Sequence, residues 1–130
     1  MQNADGIDEG SLERLVAAFY TRVRADPELG PVFDAAIEDW PEHLGKLTAF
    51  WSSVMLRSGR YQGNPMEAHL RQLPRLSPAL FGRWLSLWGE TAAETMPREA
   101  ADVISAKAAS IADSLQYALR LKTVAPRARG

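Results

Sequence analysis

A chain of 130 residues supports one domain, large enough to bury about two thirds of the surface its unfolded form exposes and to enclose a ligand. Fifteen basic residues against sixteen acidic ones leave a formal net charge of −1, so no strong field favours nucleic acid or an anionic membrane. The absence of cysteine excludes disulfides, thiolate nucleophiles, iron–sulfur clusters and thioether-linked groups. Residues 1–10 are polar and acidic, and no apolar run reaches membrane-spanning length, so a soluble cytoplasmic protein is expected.

Helical periodicity organises the rest. Leu12, Leu15, Val16, Phe19, Tyr20 and Val23 lie on one helical stripe, with Ser11 as the expected N-cap. Asp26-Pro27 and Gly30-Pro31 should interrupt the chain, leaving a loop that carries Val32 and Phe33. A second long helix should open at Pro41, with Asp39 or Trp40 near its cap. It should run to about Arg57 and turn His43, Leu47, Phe50, Trp51 and Val54 inward. Ser58-Gly59 ends it. Asn64 and Glu67 have the spacing of a capping box and open a short helix that carries His69. Phe81, Trp84, Leu85 and Trp88 mark a helix of roughly residues 78–95. The last helix should extend from about Pro97 to Lys122, with Val103, Ile104, Ala108, Ile111, Leu115 and Ala118 inward. No strand alternation or internal repeat competes, so the fold class is all-α. The expected organisation is a flexible segment 1–10, a domain 11–122 and a flexible tail 123–130.

The two histidines stand on separate helices, an aromatic one for His43 and a short apolar one for His69. A haem pocket uses such a pair, one imidazole binding iron and the other facing a gas ligand across the ring. Without cysteine any haem would be non-covalent. Taken alone, His69 reads more simply as an ordinary helix histidine. Tyr20 and Trp84 alone read as large core residues with satisfied polar atoms, and Trp40 and Trp88 as plain core.

Seven blocks, in order, change that weighting: Phe19-Tyr20-Thr21-Arg22-Val23-Arg24 with Asp26-Pro27; Leu29-Gly30-Pro31-Val32-Phe33; Trp40-Pro41-Glu42-His43; Phe50-Trp51; Tyr61-Gln62-Gly63-Asn64-Pro65; His69-Leu70; and Phe81-Gly82-Arg83-Trp84-Leu85. From about residue 12 to residue 121 the chain resembles a truncated haemoglobin of the third group. The lack of paired glycines after the first helix and around the short helix agrees with that subgroup.

The resemblance implies a two-over-two helical sandwich around haem b. It makes His69 the proximal iron ligand, its other ring nitrogen donating to a backbone carbonyl. It makes His43 the distal histidine, with Tyr20 and Trp84 in the two further polar distal positions, three donors that would stabilise a polarised diatomic ligand and slow its release. His43 could instead swing outward as a gate or bind iron itself. Phe19, Phe33, Leu47, Phe50 and Trp51 should pack against the porphyrin or distal cavity, and Leu70, Leu73, Phe81, Ile111 and Leu115 form the proximal wall. Lys46, Tyr61 or Arg71 could pair with the propionates.

Three function classes follow. One is a haem protein holding dioxygen, nitric oxide or carbon monoxide, serving nitric oxide or reactive-oxygen chemistry rather than bulk oxygen transport. A second is a redox enzyme, a nitric oxide dioxygenase or peroxidase-like protein, which needs a separate reductase because no dinucleotide motif is present. The third is a haem-free helical interaction module.

Overall fold

The computed structural model describes residues 6–61, 63 and 77–128, except the side chains of residues 119 and 121–128. Helix α1 spans Glu9–Ala25. Its cap is Asp8 rather than the predicted Ser11. The Asp8 carboxylate accepts the Ser11 backbone N–H at 2.8 Å, and the Ser11 hydroxyl accepts the Asp8 N–H at 2.9 Å. This is a capping box with the acid in the cap. The apolar stripe starts only at Leu12, so reading the stripe alone starts the helix about one turn late. Ile7, ahead of the helix, is fully buried.

The expected loop at Val32 and Phe33 is instead helix α2, Leu29–Ala36. Pro31 stands in its first turn, where a backbone N–H has no intrahelical acceptor to lose. The Asp26 carboxylate takes the N–H groups of Glu28 and Leu29 at 3.0 and 2.9 Å, and the Asp26 carbonyl takes that of Gly30 at 2.9 Å. Those bonds start the helix despite the flanking prolines.

Helix α3 spans Trp40–Leu56 with Asp39 as cap, its carboxylate accepting the Glu42 N–H. It closes on Arg57, whose backbone is left-handed at φ 58°. Helix α4, Pro78–Thr95, has the predicted bounds and is capped by Ser77. Helix α5, Arg98–Ala128, runs past the predicted end at Lys122, where neither glycine nor proline stands to stop it.

Helix α1 packs on α2, α3 and α4, and α4 pairs extensively with α5. The architecture is one helix pair, α1 and α3, laid over a second, α4 and α5, with α2 at the edge. The core between them holds Leu12, Leu15, Val16, Phe19 and Val23 of α1, Trp51 of α3, Trp88 and Ala92 of α4, and Ile104 and Ala108 of α5. Val103, predicted inward, is 39% exposed. The buried stripe of α5 instead runs through Ala100, Ile104, Ala108, Ala112 and Leu115, and Val103 lies one residue, about 100° of helix, away from it. On α3 the fully covered residues are Thr48, Trp51 and Ser52. The rest of its predicted inward stripe, His43, Leu47, Phe50 and Val54, is only half-buried. Small hydroxyl residues let α3 approach α1 closely, and Ser52 donates to Glu9 at 2.5 Å.

Candidate functional site

Tyr20 is the hub of the polar groups inside the molecule. Helical phase on α1 buries its side chain to 4% exposure. Its ring meets Phe19 at 4.6 Å, Phe33 at 5.5 Å and His43 at 5.9 Å, all edge-on. Burial pushes the phenol well above its ordinary range, and a hydrogen bond with Trp84 offsets that only partly. The phenol therefore stays protonated at any physiological pH and remains a donor.

His43 enters from the first turns of α3, half-buried, perpendicular to both Tyr20 and Trp40. Its Nε2 is buried and has no hydrogen-bond partner among the described residues. Such an atom costs free energy unless something else satisfies it. Burial first, and the charge of Lys46 second, lower the imidazole below its ordinary value of 6.5, so at neutral pH the ring is uncharged.

Trp84 comes from α4, and its alignment is set by neighbours. Its ring stacks on Trp88 at 5.6 Å and 9°, and Trp88 stacks on Trp51 at 4.6 Å and 21°. Phe19 stands edge-on to both Trp84 and Trp88. The adjacent Arg83 is locked to α1: its Nε and Nη2 donate to Oδ1 of the buried Asp26 at 2.9 and 2.6 Å. Those bonds, ahead of the Leu29 backbone bond, hold the Asp26 carboxyl below its usual value. One acid thus starts α2 and fixes α4 in register with α1.

The structure brings the predicted cavity residues together unevenly. Phe19 and Trp51 are core, Phe33 rests on Tyr20, and Phe50 meets Trp51 and Tyr61 edge-on at 5.5 and 5.4 Å. Leu47 is half-buried against the same core. Phe81, Leu115 and Ala112 form a separate small cluster bordered by Leu85 and Ile111, across α4 and α5. Lys46 pairs with Glu42 at 3.5 Å on the surface. The Tyr61 backbone N–H donates to Ser53 Oγ at 2.8 Å. His69, Leu70, Arg71 and Leu73 lie outside the described residues.

Comparison with known proteins decides the family. The chain is 37% identical over 117 residues to the group 3 truncated hemoglobin of Campylobacter jejuni, an alignment covering 87% of this chain and 91% of that protein. The chain belongs to the group III truncated haemoglobins. The crystal structure of the group III truncated hemoglobin from Campylobacter jejuni superposes with a TM-score of 0.79 at 35% identity, covering 92% of this chain and 95% of that one. No family model matches.

Family membership implies haem, and the residues gathered around Tyr20 fit one. Three potential donors, Tyr20, His43 and Trp84, come from three helices into one cluster, and the imidazole offers a buried nitrogen still lacking a partner. The half-buried strip His43, Leu47, Phe50 and Val54 repeats at helical spacing along α3, as a face covered by a flat apolar ring would. Sequence reasoning placed Trp40 in plain core, whereas in this globin it is half-buried and perpendicular to His43 at 5.8 Å. Its spacing of three residues from His43 on one helix was the available signal. Arg24, whose guanidinium lies 4.5 Å from the centre of the Trp40 ring, was also missed. No helix among the described residues is long and apolar enough to cross a membrane.

Proposed function

We propose that this truncated haemoglobin carries haem b in the cytoplasm, with His69 as the proximal ligand, and retains diatomic gases for nitric oxide or reactive-oxygen chemistry rather than for bulk oxygen transport. The carrying observation is the cluster in which the buried Tyr20 phenol joins Trp84 and His43, with His43 Nε2 left unpaired. Haem would supply an iron that binds dioxygen, nitric oxide or carbon monoxide. The chain's own part is to orient, donate and exclude water. Tyr20 stays protonated because burial opposes its ionisation. His43 is neutral because burial and Lys46 disfavour its charge. Both therefore present neutral polar groups to a polarised ligand in a site of low dielectric, where each hydrogen bond is worth roughly 1–3 kcal/mol.

Strong retention argues against delivery, since a carrier must release its ligand promptly. Turnover as a nitric oxide dioxygenase or peroxidase-like enzyme would draw electrons from a separate reductase. The test is stopped-flow dioxygen release from the ferrous protein, with Tyr20→Phe beside the parent. Loss of one buried donor should speed release by roughly one to two orders of magnitude. Fast release in the parent, unaltered in the variant, refutes the retention reading. Loss of the haem absorption spectrum in His69→Ala tests the proximal assignment.

A further inference from the structure

His43 closes a triangle of rings: it meets Tyr20 at 5.9 Å and Trp40 at 5.8 Å, perpendicular to each at 89°, and those two rings meet each other at 6.0 Å. An imidazole so placed rests against both rings, and loses a support when either one moves. Tyr20 is only 4% exposed and hydrogen-bonded with Trp84, so it is the fixed support. Trp40 is half-buried and borders an open cleft of about 420 Å³ between α1, α2 and α3, lined also by Tyr20, Arg24, Asp34 and Leu44. Trp40, held by no hydrogen bond to a neighbouring helix among the described residues, is the movable support and has room beside it. What holds it is Arg24, four residues after Tyr20 on α1, whose guanidinium lies over the indole at 4.5 Å.

We propose that Trp40 is a positioning residue for His43, and that Arg24 is the latch that keeps Trp40 against the imidazole. This rests on the reading of His43 as a distal donor. With the latch closed, His43 is held beside Tyr20. When Trp40 moves into the cleft, the imidazole loses one wall and turns outward. The two residues thus set the fraction of molecules in which His43 faces the ligand, without touching the ligand themselves. A purely structural Trp40 would alter stability but not that fraction.

The measurement is the infrared C–O stretch of the ferrous carbonmonoxy protein, which separates molecules whose ligand receives distal hydrogen bonds from those whose ligand does not, together with carbon monoxide association after photolysis. Arg24 is exposed, so Arg24→Gln should fold. Its open-population band should grow by roughly two- to fivefold, the weight an exposed cation–π contact lends an equilibrium, and association should quicken in step. Arg24→Lys should restore the parent spectrum, and Trp40→Phe should lie between parent and Trp40→Ala. If Trp40→Ala fails to fold by circular dichroism, Arg24→Gln decides alone. His43→Leu separates the two levels. If it leaves the bands unmoved, the distal reading of His43 falls and this proposal with it. If it moves them while Arg24→Gln keeps parent bands and rates, the distal reading stands and the latch is overturned.

Discussion

Gly30 is where a single added methyl group should disturb both fold and site. A Cβ built there would lie 2.8 Å from the Arg24 carbonyl oxygen and 3.4 Å from both the Arg24 carbonyl carbon and the Val23 oxygen. These are backbone atoms at the end of α1, so no side chain can rotate away, and α2 itself must lift. Forcing an extra carbon into close packing costs about 1–3 kcal/mol. Alanine also stiffens the unfolded chain, which favours folding by about 0.4–1 kcal/mol where the native geometry admits it. The steric term is the larger, so Gly30→Ala should destabilise by about 1–2 kcal/mol. The lift would also stretch the 2.9 Å bond from the Gly30 N–H to the Asp26 carbonyl and draw Phe33 from Tyr20, which it meets at 5.5 Å. Urea unfolding monitored by helical circular dichroism measures the first effect, and dioxygen release from the haem-loaded protein the second. A variant as stable as the parent would refute the close-approach argument. A variant destabilised with release unchanged would show that Phe33 does not steady Tyr20.

Asp26→Asn should weaken acid-sensitive stability. Because the folded carboxyl is held below its ordinary 3.8, its contribution is complete above that value and disappears as pH falls through the folded value. The parent–variant gap in chemical unfolding should therefore shrink below about pH 4; a constant gap contradicts the assignment. The His43 ring should titrate below 6.5 by NMR of the carbonmonoxy protein, since burial and Lys46 both disfavour the cation, and Lys46→Gln should raise the midpoint slightly. Trp88→Phe should cost little more than about 1 kcal/mol, because Phe removes a buried indole N–H with no partner among the described residues. Trp88→Ala should cost about 3–5 kcal/mol in the same unfolding assay.

The long helices were legible because their apolar residues repeat at 3.6 over many turns, and α4 was bounded by Ser77-Pro78 at its start. What failed were places where a local bond outweighs the pattern. Asp8 caps α1 before any apolar residue of the stripe appears. Asp26 starts α2 between two prolines that read as breakers. Its second role, holding Arg83 across 57 positions of sequence, has no local signature. The rotation of α3 escaped for a related reason: hydropathy places Leu47 and Phe50 deepest, whereas Thr48 and Ser52 are small enough to sit against α1.

Residue type marked Tyr20, His43 and Trp84 as candidates only through a family pattern, since each alone is an ordinary core aromatic or lone histidine. The structure adds how they are held. Phe19, Tyr20 and Arg24 follow one another on α1, and each meets a different part of the site: Phe19 the Trp84–Trp88 stack, Tyr20 the His43 ring, and Arg24 the Trp40 indole. Because a helix is stiff over five residues, displacing α1 as a body shifts Tyr20 and Arg24 together against His43 and Trp40 of α3. Displacing α2 by Gly30→Ala moves Phe33 against Tyr20 and also presses on the Arg24 backbone. Gly30→Ala and Arg24→Gln therefore act on touching parts of one pocket. The first should alter the donor that retains ligand and the second the contact that holds Trp40 beside it, and because Tyr20 and Trp40 meet each other and share His43, their effects on dioxygen release and on carbon monoxide entry should depart from additivity in the double variant.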